Sequence, residues 1–476
     1  SNRRISKPAT GRMILAILDR LRPGNFLKFA KKVATSDMST RELRIYSRSE
    51  HNLSRNNIAD SALKVLYRLH KAGYEAYLVG GAVRDSLLGF EPKDFDVATN
   101  AHPEEVCELF RNSRLIGRSF KLVHVRFGRE IIEVATFRAA HDGEAEGAAV
   151  SDEGRILRDN VYGQLVDDVW RRDFTINALY YNIADFSIVD YVGGVEDLEQ
   201  RRLRLIGDAR IRYCEDPMRL LRAIRFAAKL SVEIDEDTHA AFQEFGHLLK
   251  DIAPARMFDE VIKLFHGGSG NRAFELLQKY GLMHTLFPAF QDFEKAGMLD
   301  DAVRMISNAT HNTDKRVAED KSVTPAFVFA ALLWHAQRKI YKELGSKDMP
   351  AHEKEHIAYD TAISTQIERI AIPRRFTSYV REIWSLQKKF EKRTPKRVER
   401  LIVHRRFRTA YDFLILREQS GEDITELVDW WYRYEEGSTE VRTQLLKELG
   451  PAKPKKRRKR KPARKQNTGN DHEKLH

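Results

Sequence analysis

Asp94-Phe95-Asp96 places two carboxylates one residue apart. In an extended strand that spacing sends both acids to one side and Phe95 to the other. Ionised carboxylates so close together repel, and they add little to stability unless a cation compensates. Phe95, Val97 and Ala98 are apolar enough to anchor the opposite face. A third acid, Glu133, alternates with Ile131 and Ala135 in EIIEVATF. If that strand lies beside the first, Asp94, Asp96 and Glu133 form an all-oxygen site, and hard oxygen ligands suit Mg²⁺ better than zinc. Taken alone, the DFD triplet reads as well as a strand end facing solvent.

Just upstream, LVGGAVRD (78–85) adds a second chemistry. Gly80-Gly81 lets the backbone approach a ligand closely, and a helix starting there offers N–H groups to phosphate. A plain tight turn uses Gly-Gly equally well. The segment is not a Walker A loop, since no GKS or GKT follows, and it is not GxGxxG. Arg84 and Asp85 either pin the turn as an ion pair or touch a ligand; their types fit both. Further on, DPMRLLRAIRF (216–226) reads as a helix that tolerates Pro217 near its first turn. Arg219, Arg222 and Arg225 repeat at three-residue spacing on one face. Such a row of like charge is costly unless acids or phosphates lie opposite.

These residues need a scaffold. SALKVLYRLHKAG reads as a helix capped by Asp60, with Leu63, Leu66 and Leu69 on one side and Gly73 ending it. YEAYLVG is a buried strand, GAVRDSLLG a short helix and DFDVAT a second strand. HPEEVCELF is a helix, LVHVRF and EIIEVATFR are strands, and FSIVDYVGGVEDL is a strand followed by a Gly-Gly turn. Residues 37–57 read as a polar linker and 140–155 as a mobile excursion. From about residue 213 the pattern is helical almost throughout, and no internal repeat or coiled coil is visible. The expected fold class is α+β, a small mixed-sheet head followed by mainly helical neck, body and tail regions.

The chain has 476 residues and a formal net charge of +13, concentrated at its two ends. Residues 1–36 carry +8 and residues 451–476 carry +9, which leaves −4 for everything between. The ends therefore ask for a polyanionic partner, nucleic acid or an anionic membrane. With only Cys107 and Cys214, neither a disulfide framework nor a cysteine zinc site is supported, and a reducing, cytoplasmic setting is expected. No run approaches the roughly 20 apolar residues that span a bilayer. RMILAILDRLRPGNFLKFAKKVA fits either a solvated arm or basic amphipathic turns that attach to a surface. Residues after Gly450 have almost nothing to bury, and disorder is expected there.

LVGGAVRD, DFD, RRDFTINAL and EDPMRLLRAIRF, in this order, resemble the class II nucleotidyltransferases, the family of bacterial poly(A) polymerases and tRNA CCA-adding enzymes. The resemblance runs from Ser61 to Gln278 and more loosely through the helical half. It implies that Asp94 and Asp96 are the metal-binding pair and Glu133 the third acid. It places Gly80, Gly81, Arg84 and Asp85 at the phosphate-side loop. Arg172, Asp173 and Asn177 fall in the segment that handles ribose and triphosphate. Asp216, Arg219 and Arg222 match the neck motif, whose Asp and first Arg read the incoming base in relatives, and Arg225 continues that face. The implied chemistry uses two Mg²⁺ ions, with Mn²⁺ as a substitute, and ATP as substrate. The nucleophile is an RNA 3′-hydroxyl, so no serine, cysteine or histidine nucleophile is needed.

Both branches of the family share those motifs. LIGRSFKLVHVRF (115–127) resembles the poly(A)-adding branch at Gly117, Arg118, Phe120, Leu122 and His124; Ser119 stands where that branch usually has a basic residue. Taken by itself, His124 fits a satisfied core histidine. RRFTSYVREIWSLQKKF, FRTAYDFLILR and the basic tail agree with the same branch, although the aromatics of those helices read more simply as core. A basic tail can hold an RNA backbone without reading its sequence. The expectation is a polynucleotide adenylyltransferase, with CCA addition as the alternative; a retired fold serving as an RNA scaffold would lack one of the motif residues, and none is missing. Expected partners are RNA 3′ ends, with peripheral membrane or RNA-decay protein association through the ends of a monomer. Expected boundaries are an arm at 1–57, head at 58–205, neck at 206–275, body at 276–450 and tail at 451–476.

Overall fold

The computed structural model describes residues 43–117, 121–139, 148–150, 156–346 and 348–449. Expectations placed on 1–36, on 451–476, on most of 140–155 and on Arg118, Ser119 and Phe120 lie outside these residues. The chain divides into two compact units between Arg381 and Glu382.

The first unit begins with strand β1 (Arg44–Tyr46), helix α1 (Asp60–Lys71), β2 (Ala76–Val79), α2 (Gly81–Leu87) and β3 (Asp96–Thr99). Helix α3 (Pro103–Leu109) follows, then β4 (Ser113–Ile116), β5 (Leu122–Phe127) and β6 (Glu130–Thr136). A separate hairpin pairs β7 (Ala148–Val150) with β8 (Ile156–Asp159). Helix α4 (Leu165–Arg171), a 3₁₀ turn (Thr175–Asn177), β9 (Leu179–Asn182) and β10 (Ile188–Asp190) complete the head sheet. Its eight strands run β1-β10-β9-β2-β3-β6-β5-β4. Every neighbouring pair is antiparallel except β3 and β6, which run parallel and need the long crossover through α3 and the β4–β5 hairpin.

Different elements cover the two faces of this sheet. Ala62, Val65, Leu66 and Leu69 form the buried stripe of α1, which packs with α3 on one face, over β2 to β6. On the other face Leu165 and Val169 of α4, with Phe137, close over Tyr77, Val79, Ala98, Tyr180 and Val189. Three sequence expectations need correction. Residue Asp60 lies in the first turn of α1 rather than capping it; Ala59 holds the cap position, without a side-chain bond. Arg44–Tyr46, read as linker, is an edge strand because Ile45 can pair with Val189 through backbone groups alone. β4 also went unread, since RLI alternates too briefly to show a period.

After α5 (Gly194–Glu199) come α6 (Ala209–Glu215), α7 (Met218–Leu230) and α8 (Pro254–His266). The remainder of this unit is helical, with long helices at Leu299–Ala318, Pro325–Glu343 and Ala351–Arg369 packed in succession. In the second unit, Phe390, Phe407, Tyr411 and Trp431 are buried together, and the Trp431 indole N–H donates to the Phe390 carbonyl at 3.1 Å. These aromatics are core, as expected, and not stacking platforms. Among the described residues no helix is long and apolar enough to cross a membrane. No disulfide joins Cys107 to Cys214.

Candidate active site

The parallel pairing of β3 with β6 sets Asp96 directly opposite Glu133. Residues paired in this way share a face. Phe95 is buried on the far side while Asp94 and Asp96 stay exposed, as the period of two requires. The next strand continues the row, with His124 opposite Glu133 and its Nε2 3.3 Å from the Glu133 carboxylate. His124 is therefore not a core histidine; its side chain is 26% exposed and belongs to the row of acids.

Solvent reaches Asp96, yet crowding by surrounding protein pushes its carboxyl up to about 6; Glu133 and Asp94 add to the rise and Arg172 opposes it. Among the described residues no group of three or more His, Cys, Asp or Glu side chains is placed to hold a metal ion, so Asp94, Asp96 and Glu133 do not close into the three-acid site expected from the sequence. The acids form an open ledge. That suits Mg²⁺, which binds through one or two carboxylates and fills its remaining positions with water and substrate phosphates. Burial, with repulsion from Glu133 and Asp94, disfavours the Asp96 charge, and a divalent cation would offset that cost, so the donor set fits such an ion.

Gly80 sits between β2 and α2 at φ 72°, a region L-residues rarely adopt. A Cβ there would stand 3.8 Å from Nη1 of Arg172. One turn into α2, Arg84 is buried, and it reaches in two directions. Its Nε and Nη2 donate to Asp85 Oδ1 at 2.7 and 2.5 Å, and its Nη1 donates to Asn177 Oδ1 at 2.6 Å. Asn177 in turn donates to Asp173 Oδ1 at 3.1 Å, and the second oxygen of Asp173 accepts from Arg222 Nε at 2.7 Å and from Arg222 Nη2. One unbroken polar chain, Asp85–Arg84–Asn177–Asp173–Arg222, thus joins the glycine loop, the 3₁₀ turn and α7. Burial works to raise the Asp173 carboxyl, but Arg222, Asn177 and the Phe174 N–H hold it down at about 2.

The three arginines of α7 all have acids opposite. Arg219 donates to Glu215 Oε2 at 2.8 Å and to the Arg212 carbonyl at 2.7 Å, Arg222 binds Asp173, and Arg225 donates to Glu260 Oε1 at 2.6 Å. Asp216 accepts from Arg256 at 2.8 Å. The row is thereby compensated within the protein. The Phe226 ring sits among Arg84, Arg222 and Arg225, whose guanidinium carbons stand 5.2, 5.4 and 4.5 Å from its centroid.

Arg172 is fixed from behind by Asp168, at 3.0 Å, and by the Tyr180 hydroxyl, at 2.6 Å. Burial, with Arg138, Arg212 and Arg219 nearby, brings Arg171 down to about 9. Burial and Arg219 bring Arg212 down to about 10. The guanidinium groups of Arg172 and Arg84 beside Gly80 and Gly81 make that side of the site receptive to anions. Sequence reading passed over Asp168, Tyr180 and Arg212. The spacing of Asp168 and Arg172, one helical turn, was the available signal for the first; nothing local marks the other two. A cavity of about 540 Å³ lined by Trp170, Arg204, Asp208, Asp235 and Glu244 contains none of these groups.

Open carboxylates on a mixed sheet, a glycine loop facing an arginine and a helix bearing a row of arginines define a nucleotidyltransferase. Solved structures agree on the fold: a tRNA-processing enzyme superposes with a TM-score of 0.56 at 23% identity, covering 83% of this chain and 97% of that one. A tRNA nucleotidyltransferase complexed with a primer tRNA and an incoming ATP analog gives a TM-score of 0.56 at 22% identity, covering 78% and 98%. Residues 76–204 match the family described as Poly A polymerase head domain. Residues 231–294 match the probable RNA and SrmB-binding site of polymerase A, and residues 347–465 its arginine-rich C-terminus. Poly(A) polymerase I of Escherichia coli O157:H7 is 43% identical over 91% of this chain and 96% of its own length. The Haemophilus influenzae protein of the same name is 44% identical over 86% and 92%. A CCA-adding enzyme of Listeria monocytogenes is 36% identical over 56% of this chain and 63% of its own length. The chain belongs to the bacterial poly(A) polymerase family.

Proposed function

We propose that this chain transfers AMP from ATP to RNA 3′-hydroxyl ends without a template, releasing pyrophosphate. The observation that carries the reading is the in-register pairing of Asp96 with Glu133 on an open sheet face, beside the Gly80–Arg172 loop, in a chain of this family. Asp94 and Asp96 would hold Mg²⁺, as two ions, and Mn²⁺ would suit the same oxygens. Such ions, held by Asp94 and Asp96, would supply acidification of the RNA hydroxyl and stabilisation of charge at the α-phosphate. Glu133, steadied by His124, orients the attacking hydroxyl by accepting its hydrogen bond. Gly80 and Gly81 admit the triphosphate to the backbone, and Arg172, locked by Asp168 and Tyr180, presents positive charge to it without reorganising. Arg84, Asp85, Asp173 and Asn177 hold the loop and the ribose side in register. Asp216 and Arg219 face the base, with Arg222 and Arg225 behind them.

The same reading takes 58–205 as head, 206–275 as neck and 276–450 as body. It makes the enzyme a cytoplasmic monomer whose basic ends contact RNA backbone, a membrane surface or RNA-decay proteins. The deciding assay supplies Mg²⁺ with ATP alone or CTP alone to a generic RNA ending in A, beside a tRNA lacking its CCA end. Long ladders on the generic RNA with ATP, and little use of CTP, are expected. Addition that stops after C, C and A on the tRNA would move the chain to the CCA-adding branch.

A further inference from the structure

The face that carries the acids is covered on one half only. Over β2, β9 and β10 it lies beneath α4. Beyond Asp96, across β6, β5 and β4, no described helix closes it, whereas the opposite face of those strands is packed by α1 and α3. Register places Ile131 beside Arg126, Leu122 beside Ile116, and Arg114 beside His124 on this open half. Ile131 is 46% exposed, and both arginines are exposed. A sheet face is normally covered or wholly polar. This one alternates half-exposed aliphatic groups with guanidinium groups and runs without a break into the Glu133 carboxylate.

We infer that this open half-sheet is the seat of the last nucleotides of the RNA being extended, with Arg114 and Arg126 on their phosphates and Ile131 and Leu122 beneath their bases. The inference rests on the adenylyl-transfer reading above. Charge and continuity select the occupant. The arginines complement a phosphodiester backbone. Arg114 lies two strands beyond Glu133, about 10 Å at the usual strand spacing. A polynucleotide whose terminal hydroxyl meets Glu133 therefore carries its preceding phosphates over Arg114. Aliphatic side chains under unpaired bases do not depend on base identity, which matches extension of RNAs with varied ends.

The test compares the wild-type chain with Arg114→Ala/Arg126→Ala, Arg114→Lys/Arg126→Lys and Ile131→Asp, using an oligoadenylate primer and ATP. The double alanine variant is expected to raise the KM for primer at least ~10-fold, with the effect on primer rather than on the ATP KM. The salt dependence of primer kcat/KM should become shallower by roughly 1.4 log units per log unit of salt, for two lost single-strand phosphate contacts. The lysine pair should recover most of the primer affinity, and Ile131→Asp should weaken it by removing the apolar seat and setting a carboxylate beside Arg126. A 4-thiouridine one or two nucleotides from the 3′ end should cross-link to the peptide containing Ile131. Primer KM and salt slope unchanged in the double alanine variant would overturn the assignment while adenylyl transfer stands. Assembly of the chain into dimers through this face, with primer KM unchanged, would also overturn it. A wild-type chain that adds no AMP to any RNA removes the underlying reading as well.

Discussion

Replacing Asp96 with Asn should make the metal-free protein more stable while abolishing its activity. The carboxyl of Asp96 stands at about 6 in the fold against an ordinary 3.8, which at 1.36 kcal/mol per pH unit is about 3 kcal/mol of opposition to its charge. Solvent reaches the group, so screening reduces this to about 1 kcal/mol. The sign follows from linkage. A carboxyl raised in the folded state leaves the fold fully free of this penalty only below pH 3.8, and the penalty grows as pH rises through about 6. In EDTA at pH 8, calorimetry of Asp96→Asn should show its head transition about 2–4 °C above wild type. That lead should vanish by pH 4. Adding Mg²⁺ should raise the wild-type transition and leave the variant unmoved, reversing the order. A variant less stable than wild type in EDTA at pH 8, or a lead that persists at pH 4, would refute the account of a crowded, costly Asp96 charge awaiting a cation.

Three further outcomes follow from the geometry. His124→Ala should lower kcat about 10-fold with little change in the ATP KM, because it releases Glu133 without touching nucleotide; steady-state kinetics on a saturating primer reads this, and His124→Gln should recover part of it. Arg222→Ala should cost about 2 kcal/mol at pH 7. Asp173, held at about 2, contributes stability present above pH 3.8 and lost as pH falls toward 2, so denaturation from pH 7 down to pH 3 should show the variant's deficit shrinking. Gly194→Ala should destabilise by about 3 kcal/mol, since its Cβ would lie 2.3 Å from the Thr175 carbonyl oxygen; Gly345→Ala, with open space, should stay within about 0.5 kcal/mol in the same melts.

The sheet strands and the acid pair were legible because they obey a period of two with apolar anchors between, as in Phe95 and Val97; Ala98, expected on the same side as those two, lies on the acids' own face under α4. The neighbourhood of Asp96 and Glu133 was readable only as a condition. Thirty-six residues separate them, and no local pattern states that two distant strands run side by side in parallel. The arginines of α7 were found by spacing, but their partners Asp173 and Glu260 come from other elements, so the sequence could not say which acids would answer them. Asp60 misled because a good capping residue also suits the first helical turn, where its charge meets the helix dipole favourably. The hub at Phe226 was invisible, since one Phe among apolar helix residues carries no sign of the three cations around it.

The chain of bonds from Asp85 through Arg84, Asn177 and Asp173 to Arg222 has a genetic consequence. Its members are joined so that losing any one strands a partially buried neighbour, and their effects will not add. A mutational scan would give all five positions nearly the same phenotype, although they lie on separate segments of the chain. Suppressors should arise at another member of the chain rather than at the ATP-facing surface. Drift at these positions is then open only to paired changes, and the five are inherited as one character.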